Sequence, residues 1–216
     1  MERNHVRAAG LALVAALVAC LTLAPAATAA QKSAKKVVTK TFLNGVGSPT
    51  GGIALPIPDG AGMNTQLVRV GIPVRGLNPR GKIRDVNVGV RIDHVFDADL
   101  EIYLASPRGV ISLSTDNGGP GNDYGGTFDS CSGQFTLFDS DSPTLISAPG
   151  IAAPFAGAFA PEESLNLLEG LGNKKATNAT WSLLVQDDDR ANAAGTVFCS
   201  KLTISATNPK KKKSKR

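Results

Sequence analysis

Hydrophobic and polar residues alternate with a period of two through much of the chain between residues 41 and 207. In the segment 83–92, IRDVNVGVRI, the aliphatic side chains from Val86 onward fall on one face of an extended strand, and polar or small residues fall on the other. The pattern recurs at 100–104, 181–185 and 202–204, and each run is bounded by Gly, Pro, Asp or Asn. Such alternation predicts half-buried β-strands that end in turns.

Weaker strand signals lie earlier in the chain, at residues 41–43, 53–57 and 66–74. Pro73 cannot donate a backbone hydrogen bond, so it places the third of these strands at a sheet edge. A helix signal occurs only at 161–170, PEESLNLLEG, where a proline start and a closing glycine predict one short turn. Short strands with glycine-rich turns and so little helix predict an all-β fold, a sandwich of two antiparallel sheets.

The N-terminus has the features of an export signal. Arg3 and Arg7 precede an apolar run from Ala8 to Leu23, and small residues follow. This order predicts a removable secretory signal over residues 1–30 and a secreted protein. An alternative is that Leu17–Cys20, LVAC, acts as a bacterial lipobox, in which case an acylated Cys20 anchors the protein to the membrane surface.

Two cysteines, Cys131 and Cys199, remain after the signal. In an oxidising compartment such a pair predicts one disulfide. The alternative is two free thiols.

Charge divides the chain into an acidic domain and basic flanks. Residues 41–207 hold 11 Lys and Arg against 17 Asp and Glu, whereas the flanks hold 12 basic residues and one acid. We expect residues 31–40 to form a basic linker and residues 208–216 a solvated, disordered tail. The tail would contact an anionic cell-envelope polymer, without specific nucleic-acid binding, or would only aid solubility. Its basic residues are Lys210, Lys211, Lys212, Lys213, Lys215 and Arg216.

The chain offers few residues for catalysis. His94 is the one histidine after the signal, and no G-x-S-x-G motif is present. A triad could be nominated from His94, Asp99 and a serine such as Ser106, but a single histidine at a strand end is more often structural. A tetrahedral zinc site is also not expected, because only one histidine is available and the two cysteines are expected to pair with each other. We therefore expect no enzymatic activity and no small-molecule substrate.

The sequence suits calcium better, because this ion takes six to eight oxygen ligands and accepts loops. Acidic or amide-rich loops occur at 93–99, 116–129 and 187–189. None has the EF-hand spacing. The loops either bind a cation together or are ordinary polar turns.

Several segments resemble the P domain, or Homo B domain, of kexin- and furin-like proprotein convertases and of secreted bacterial subtilisin-like proteases. These segments are IRDVNVGVRIDHVFDADLEIYLASPRG, LSTDNGGPGNDY, ATWSLLVQD and GTVFCSKLTI. The resemblance implies a jelly-roll-like β-sandwich over residues 41–207. It also implies that calcium is the cofactor in some members, with four candidate ligands here: Asp97, Asp99, Asp116 and Asp123.

In that family the domain follows a catalytic domain and stabilises it. Here a signal followed almost directly by the domain leaves no room for a protease, so we expect a secreted, non-catalytic binding or stabilising module. Its partner would be a protease acting in trans or an anionic cell-envelope polymer. Two alternatives remain: a serine-type endopeptidase component involved in proteolysis, and a structural or adhesion protein anchored to the envelope.

Overall fold

The computed structural model describes residues 36–49, 51–60, 66–126, 130–189 and 194–209. The chain divides into two compact units, Met1–Ala34 and Lys35–Arg216, and every described residue belongs to the second. The predicted signal, Cys20 and the basic residues of the tail lie outside the described residues. Within the described ranges, no helix has the length and apolar character needed to span a bilayer.

The described residues form ten β-strands and little helix. The helical elements are one short helix, α1 (Asn173–Thr177), and 3-10 turns at Asp97–Asp99 and Leu165–Leu168. The strands are β1 (Val37–Gly45), β2 (Leu55–Ile57), β3 (Val68–Ile72), β4 (Ile83–Asp93), β5 (Leu100–Ser106), β6 (Gly109–Thr115), β7 (Thr136–Phe138), β8 (Gly157–Phe159), β9 (Trp181–Asp187) and β10 (Gly195–Thr207).

These strands build two sheets. One has the order β1-β10-β4-β7-β8, with β2 paired to β10, and the other has the order β3-β9-β5-β6. The pairings are antiparallel except between β7 and β8. The predicted all-β, antiparallel sandwich is therefore confirmed.

The core lies between the sheets and is filled by the alternating apolar residues that the sequence pattern indicates. Val88 pairs with Leu202 in one sheet and Leu104 pairs with Leu183 in the other, and none of the four is exposed. Burying one such aliphatic side chain contributes about 1.5–3 kcal/mol.

Trp181 anchors the short helix to the core. Its side chain is fully buried, and its indole Nε1–H donates to Ala176 O at 2.9 Å. That hydrogen bond fixes α1 against the start of β9.

The first strand corrects a predicted boundary. The sequence predicts a linker over residues 31–40, but β1 begins at Val37 and pairs with β10 from Val37↔Thr207 onward. Backbone hydrogen bonds to β10, rather than a run of apolar side chains, hold this segment. Lys40 therefore lies within a strand.

Other elements agree with the sequence pattern in position but differ in length. β3 is an edge strand and ends one residue before Pro73. The helix signal at 161–170 forms only the 3-10 turn Leu165–Leu168, which is capped by Ser164 Oγ accepting from Asn166 N at 3.2 Å. Sequence reasoning missed β6, β7, β8 and α1, and the last three span only three to five residues each.

The predicted disulfide between Cys131 and Cys199 is present, with the Cα atoms 5.1 Å apart and a sequence separation of 68. Cys199 is buried within β10 opposite Gly45. Cys131 lies in a loop and donates its backbone N–H to Val46 O at 2.7 Å. The bond therefore ties this loop to the long strand β10.

We predict that the double variant Cys131→Ser/Cys199→Ala lowers the free energy of unfolding by roughly 4 kcal/mol, because the unfolded chain regains the entropy of an open loop. Denaturant unfolding with and without reductant measures this. Reductant should lower the free energy of unfolding of the wild type to that of the variant and should not change that of the variant. Equal stability of the oxidised wild type and the variant would contradict a stabilising bond.

Candidate functional site

Acidic side chains collect at one end of the sandwich because of the strand register. β4 ends at Asp93, β9 ends at Asp187 opposite Leu100, and the turn Asp97–Asp99 connects the two sheets at the same end. The loop after β6 joins them through Asp97 N–H donating to Gly121 O at 2.9 Å. We call this the acidic end, and its carboxylates are Asp93, Asp97, Asp99, Asp116, Asp123, Asp187, Asp188 and Asp189.

His94 is buried at this end. It is 1% exposed, and its Nε2 lies 3.2 Å from Asp187 Oδ2, also buried. Its Nδ1 lies 2.7 Å from Phe96 O. A side chain at Gly195 would collide with the imidazole ring. The contacts join β4, β9 and β10 at the end of the sandwich.

The nominated triad is not assembled. Asp187, rather than Asp99, contacts His94. Ser106 lies at the other end of β5 and donates its hydroxyl to Gly109 O at 2.9 Å. Six residues of extended strand, about 20 Å, separate Ser106 from the start of β5 beside the histidine.

Asp97 is the most unusual residue of the acidic end. Its side chain is 0% exposed, and neither carboxylate oxygen makes a hydrogen bond to any described residue. Burial, followed by the charges of Asp123 and Asp93, raises the pKa of Asp97 to about 8. The nearby Asp123 backbone N–H, which donates to His94 O, offsets only part of this rise in pKa. A buried acceptor without a donor costs about 1–3 kcal/mol, and more when it is charged.

The packing around Asp97 is tight. Gly118 has a positive φ of 100°, and a Cβ at this position would lie 2.8 Å from Asp97 Cβ and 2.9 Å from the Phe155 ring. The loop thus needs glycine to close over the carboxylate.

Asp123 and Asp93 complete this neighbourhood. Asp123 has a φ of 79°, a conformation that Asp tolerates better than most residues. Its Oδ1 accepts from His94 N at 3.4 Å, and its backbone N–H donates to His94 O at 3.2 Å. Burial and the adjacent Asp93 carboxyl raise the pKa of Asp123. We call Asp93, Asp97 and Asp123 the Asp97 cluster.

The other two predicted calcium residues lie in different surroundings. Asp99 is 9% exposed, its Oδ2 has no hydrogen bond to a described residue, and its pKa is raised by burial and by the charges of Asp189 and Asp187. Asp116 is exposed and groups with Glu101 and Asp188, whose carboxylate oxygens lie within 4.8 Å of one another. The structure therefore brings Asp97, Asp99, Asp116 and Asp123 to one end but not into one ligand set.

Glu101 was missed as a candidate ligand, whereas Asp188 lies in the predicted acidic loop 187–189. Glu101 lies on the polar side of β5, and the pairing Glu101↔Gln186 brings the end of β9 alongside it. The period-two pattern indicates the outward direction of Glu101, but only the β5–β9 register determines its neighbours.

The acidic end contains the kind of oxygen ligands that a hard cation takes. The Asp97 cluster offers carboxylate oxygens, the ligands that calcium prefers, and two of them are buried without a donor. Among the described residues, two groups of three carboxylates have oxygens within 4.8 Å of one another, Glu101/Asp116/Asp188 and Asp85/Asp139/Asp141. The Asp97 cluster is more widely spaced, but neither of those groups has a fully buried member. The Asp97 cluster differs from both groups because the two carboxylate oxygens of Asp97 are buried and have no hydrogen-bond donor among the described residues.

The sequence matches no protein-family profile and no curated protein. Among solved structures, it is similar to the serine protease of Aeromonas sobria in complex with the chaperone, with 16% identity, a TM-score of 0.36 and 80% of this chain covered. It is also similar to the serine protease of Aeromonas sobria alone, with 17% identity, a TM-score of 0.35 and 79% of this chain covered. The matched region spans 27% of the length of each of those chains. A likeness of this degree assigns no activity to the chain.

We predict that, in EDTA, wild-type stability falls as the pH rises toward about 8. The folded-state pKa of Asp97 is raised above its unfolded value of 3.8, so the folded state holds the proton more tightly. The contribution of Asp97 to the free energy of unfolding is therefore largest below its unfolded pKa, and it is lost as the pH rises through about 8. Thermal melts at several pH values measure it.

The variant Asp97→Asn should flatten this pH dependence and, in EDTA at the upper end of the range, should melt above the wild type because no buried charge remains. Glu169→Gln is the matched control, since Glu169 is an exposed acid that lies outside the acidic end and outside both groups of close carboxylates. A wild-type midpoint that stays level across this range would contradict the assignment.

Proposed function

We propose that this protein is a secreted, non-catalytic β-sandwich of the P-domain type that binds calcium at its acidic end and stabilises or binds a serine endopeptidase in trans. The main support for calcium binding is the fully buried Asp97, whose two carboxylate oxygens have no hydrogen-bond donor among the described residues. A bound cation would neutralise the repulsion among Asp97, Asp123 and Asp93 and replace the lost solvation.

The geometry of the Asp97 cluster suggests how a cation would couple to the fold. Asp97 lies on the turn between the two sheets, Asp93 ends β4, and Asp123 lies on the loop that packs over that turn. A cation held by these three residues would fasten three separate chain segments together. Binding to the folded state alone raises stability in proportion to the logarithm of the cation concentration, once the site is largely occupied.

The surroundings of His94 support a non-catalytic role. Its imidazole is buried against Asp187 and the Phe96 carbonyl, so it is unavailable to a substrate. A general base must reach the proton that it removes.

The P-domain resemblance of the sequence supplies the partner class. Domains of that family stabilise a subtilisin-like catalytic domain, and this chain would do so for a separate protease. Export by the predicted signal, or anchoring through Cys20, would place it where secreted proteases act.

We predict that millimolar calcium raises the thermal midpoint of the EDTA-treated wild type, because only the folded state arranges the carboxylates for binding. Asp97→Asn should lose most of this rise, whereas the control Glu169→Gln should keep it. Differential scanning calorimetry measures the shift. Unchanged wild-type midpoints in EDTA and in calcium would remove the cation from the proposal.

The partner is tested by capture from the culture medium of the source organism with the immobilised mature domain, followed by labelling with a fluorophosphonate that reacts with active serine hydrolases. We expect a labelled band retained by the wild type and reduced for Asp97→Asn in calcium. Absence of any retained labelled protein would argue against a protease partner. Labelling of the purified chain itself would instead favour the endopeptidase alternative.

A further inference from the structure

The end of the sandwich opposite the acidic end is basic. Residues 75–84 contain four Lys and Arg and no Asp or Glu, and Asp85 follows them within β4. β10 runs from Gly195 opposite Ile57 to Thr207 opposite Val37, which places the start of β1 about 40 Å from the acidic end. Lys82, just before β4, accepts Thr207 N–H at its carbonyl at 2.9 Å and so lies at the same end. We call this the basic end.

A cavity of about 500 Å³ opens at the basic end. Its walls are mainly apolar and include Val38, Leu77, Pro79 and Ala206. Sites for small molecules typically have volumes of about 300–1,000 Å³, with apolar walls and a few polar groups that orient the ligand.

One of those polar groups is a buried acceptor without a partner. Asn173 is 0% exposed and lines the cavity. Its Nδ2 donates to Asn78 O at 2.8 Å, which fixes the orientation of the amide. Its Oδ1 receives no hydrogen bond from any described residue. An unsatisfied buried carbonyl oxygen is uncommon and calls for a donor.

Two cations line the same cavity. Lys40 and Arg80 are both lining residues, and no described carboxylate forms an ion pair with either. The Lys40 ammonium lies over Gly76, where a Cβ would come to 2.8 Å from Nζ. Gly76 has a φ of 68°, so both its conformation and its lack of a side chain leave room for the charge.

We propose that this cavity binds a saccharide-sized polyol that carries a carboxylate or phosphate group. The anion would contact Lys40 and Arg80, a hydroxyl would donate to Asn173 Oδ1, and the carbon skeleton would lie on the apolar walls. Such a ligand would supply a counter-charge for the two cations, a donor for the Asn173 acceptor and an apolar surface for the cavity walls. The site is at the opposite end from the Asp97 cluster and does not depend on a cation there.

Two sources share this ligand chemistry, a uronate-containing glycan and a polyol phosphate polymer. D-glucuronate and glycerol 3-phosphate are the monomeric probes for the two, with D-glucose and glycerol as their uncharged counterparts. Monomeric probes are used because a charged polymer would also bind the basic residues after Pro209 and so increase the measured affinity. Each probe is titrated into the isotopically labelled full chain and followed by ¹H–¹⁵N spectra.

We expect saturable shifts at residues 76–80, at 206–208 and at the Asn173 side-chain amide for at least one charged probe, and weaker shifts for the uncharged ones. The double variant Lys40→Gln/Arg80→Gln should raise the Kd about tenfold or more, because hydrogen bonds to charged groups are the stronger class. The spectrum away from the cavity should stay unchanged, which shows that the variant is folded.

Arg69→Gln is the matched control. Arg69 is an exposed cation on β3 that does not line the cavity, so its loss should leave the Kd unchanged. An equal rise in Kd for the control and the double variant would mean non-specific attraction and would overturn the proposal. So would the absence of saturable shifts at the named residues with both charged probes.

Discussion

The pairing of β10 with β4 is the constraint on which the rest of the structure depends. β10 spans 13 residues and pairs with β4 from Thr196↔Asp93 to Ala206↔Ile83, while its other edge holds β1 and β2. Its apolar residues are buried in alternation, so a slip of one residue would turn the core face outward. Because this register is fixed, the chemistry at both ends of the strands is fixed with it.

That register separates charge along the molecule. Eight carboxylates lie where β4 and β9 end, whereas Lys40, Arg80 and Lys82 lie near the starts of β1 and β4, together with the smaller acidic group Asp85, Asp139 and Asp141. Repulsion within each end costs free energy unless a counter-charge is present. At the acidic end Asp187 contacts His94, but Asp97 remains buried with no donor among the described residues. The proposed cation at the acidic end and the proposed anionic ligand at the basic end would each reduce this repulsion.

Prediction from the sequence succeeded where a signal was periodic and local. The strands around Val88, Ile102 and Leu183 follow from alternation, because each must bury one face, and all three side chains are fully buried. The start of β1 was misjudged, since its stability comes from hydrogen bonds to a distant strand. The acidic loops that hold the calcium candidates were also identified from the sequence. Which carboxylates become neighbours was not, because that depends on contacts between loops far apart in sequence.

The all-β class, the cysteine pair and the division into acidic and basic regions could be read from the chain, because period, composition and cysteine count are properties of the chain alone. The folded molecule was needed to show that Asp97 loses both solvent and donors, that His94 contacts Asp187, and that the buried Asn173 beside a cavity keeps an acceptor without a partner. Burial and pairing arise between segments far apart in sequence, and the sheet register brings those segments together.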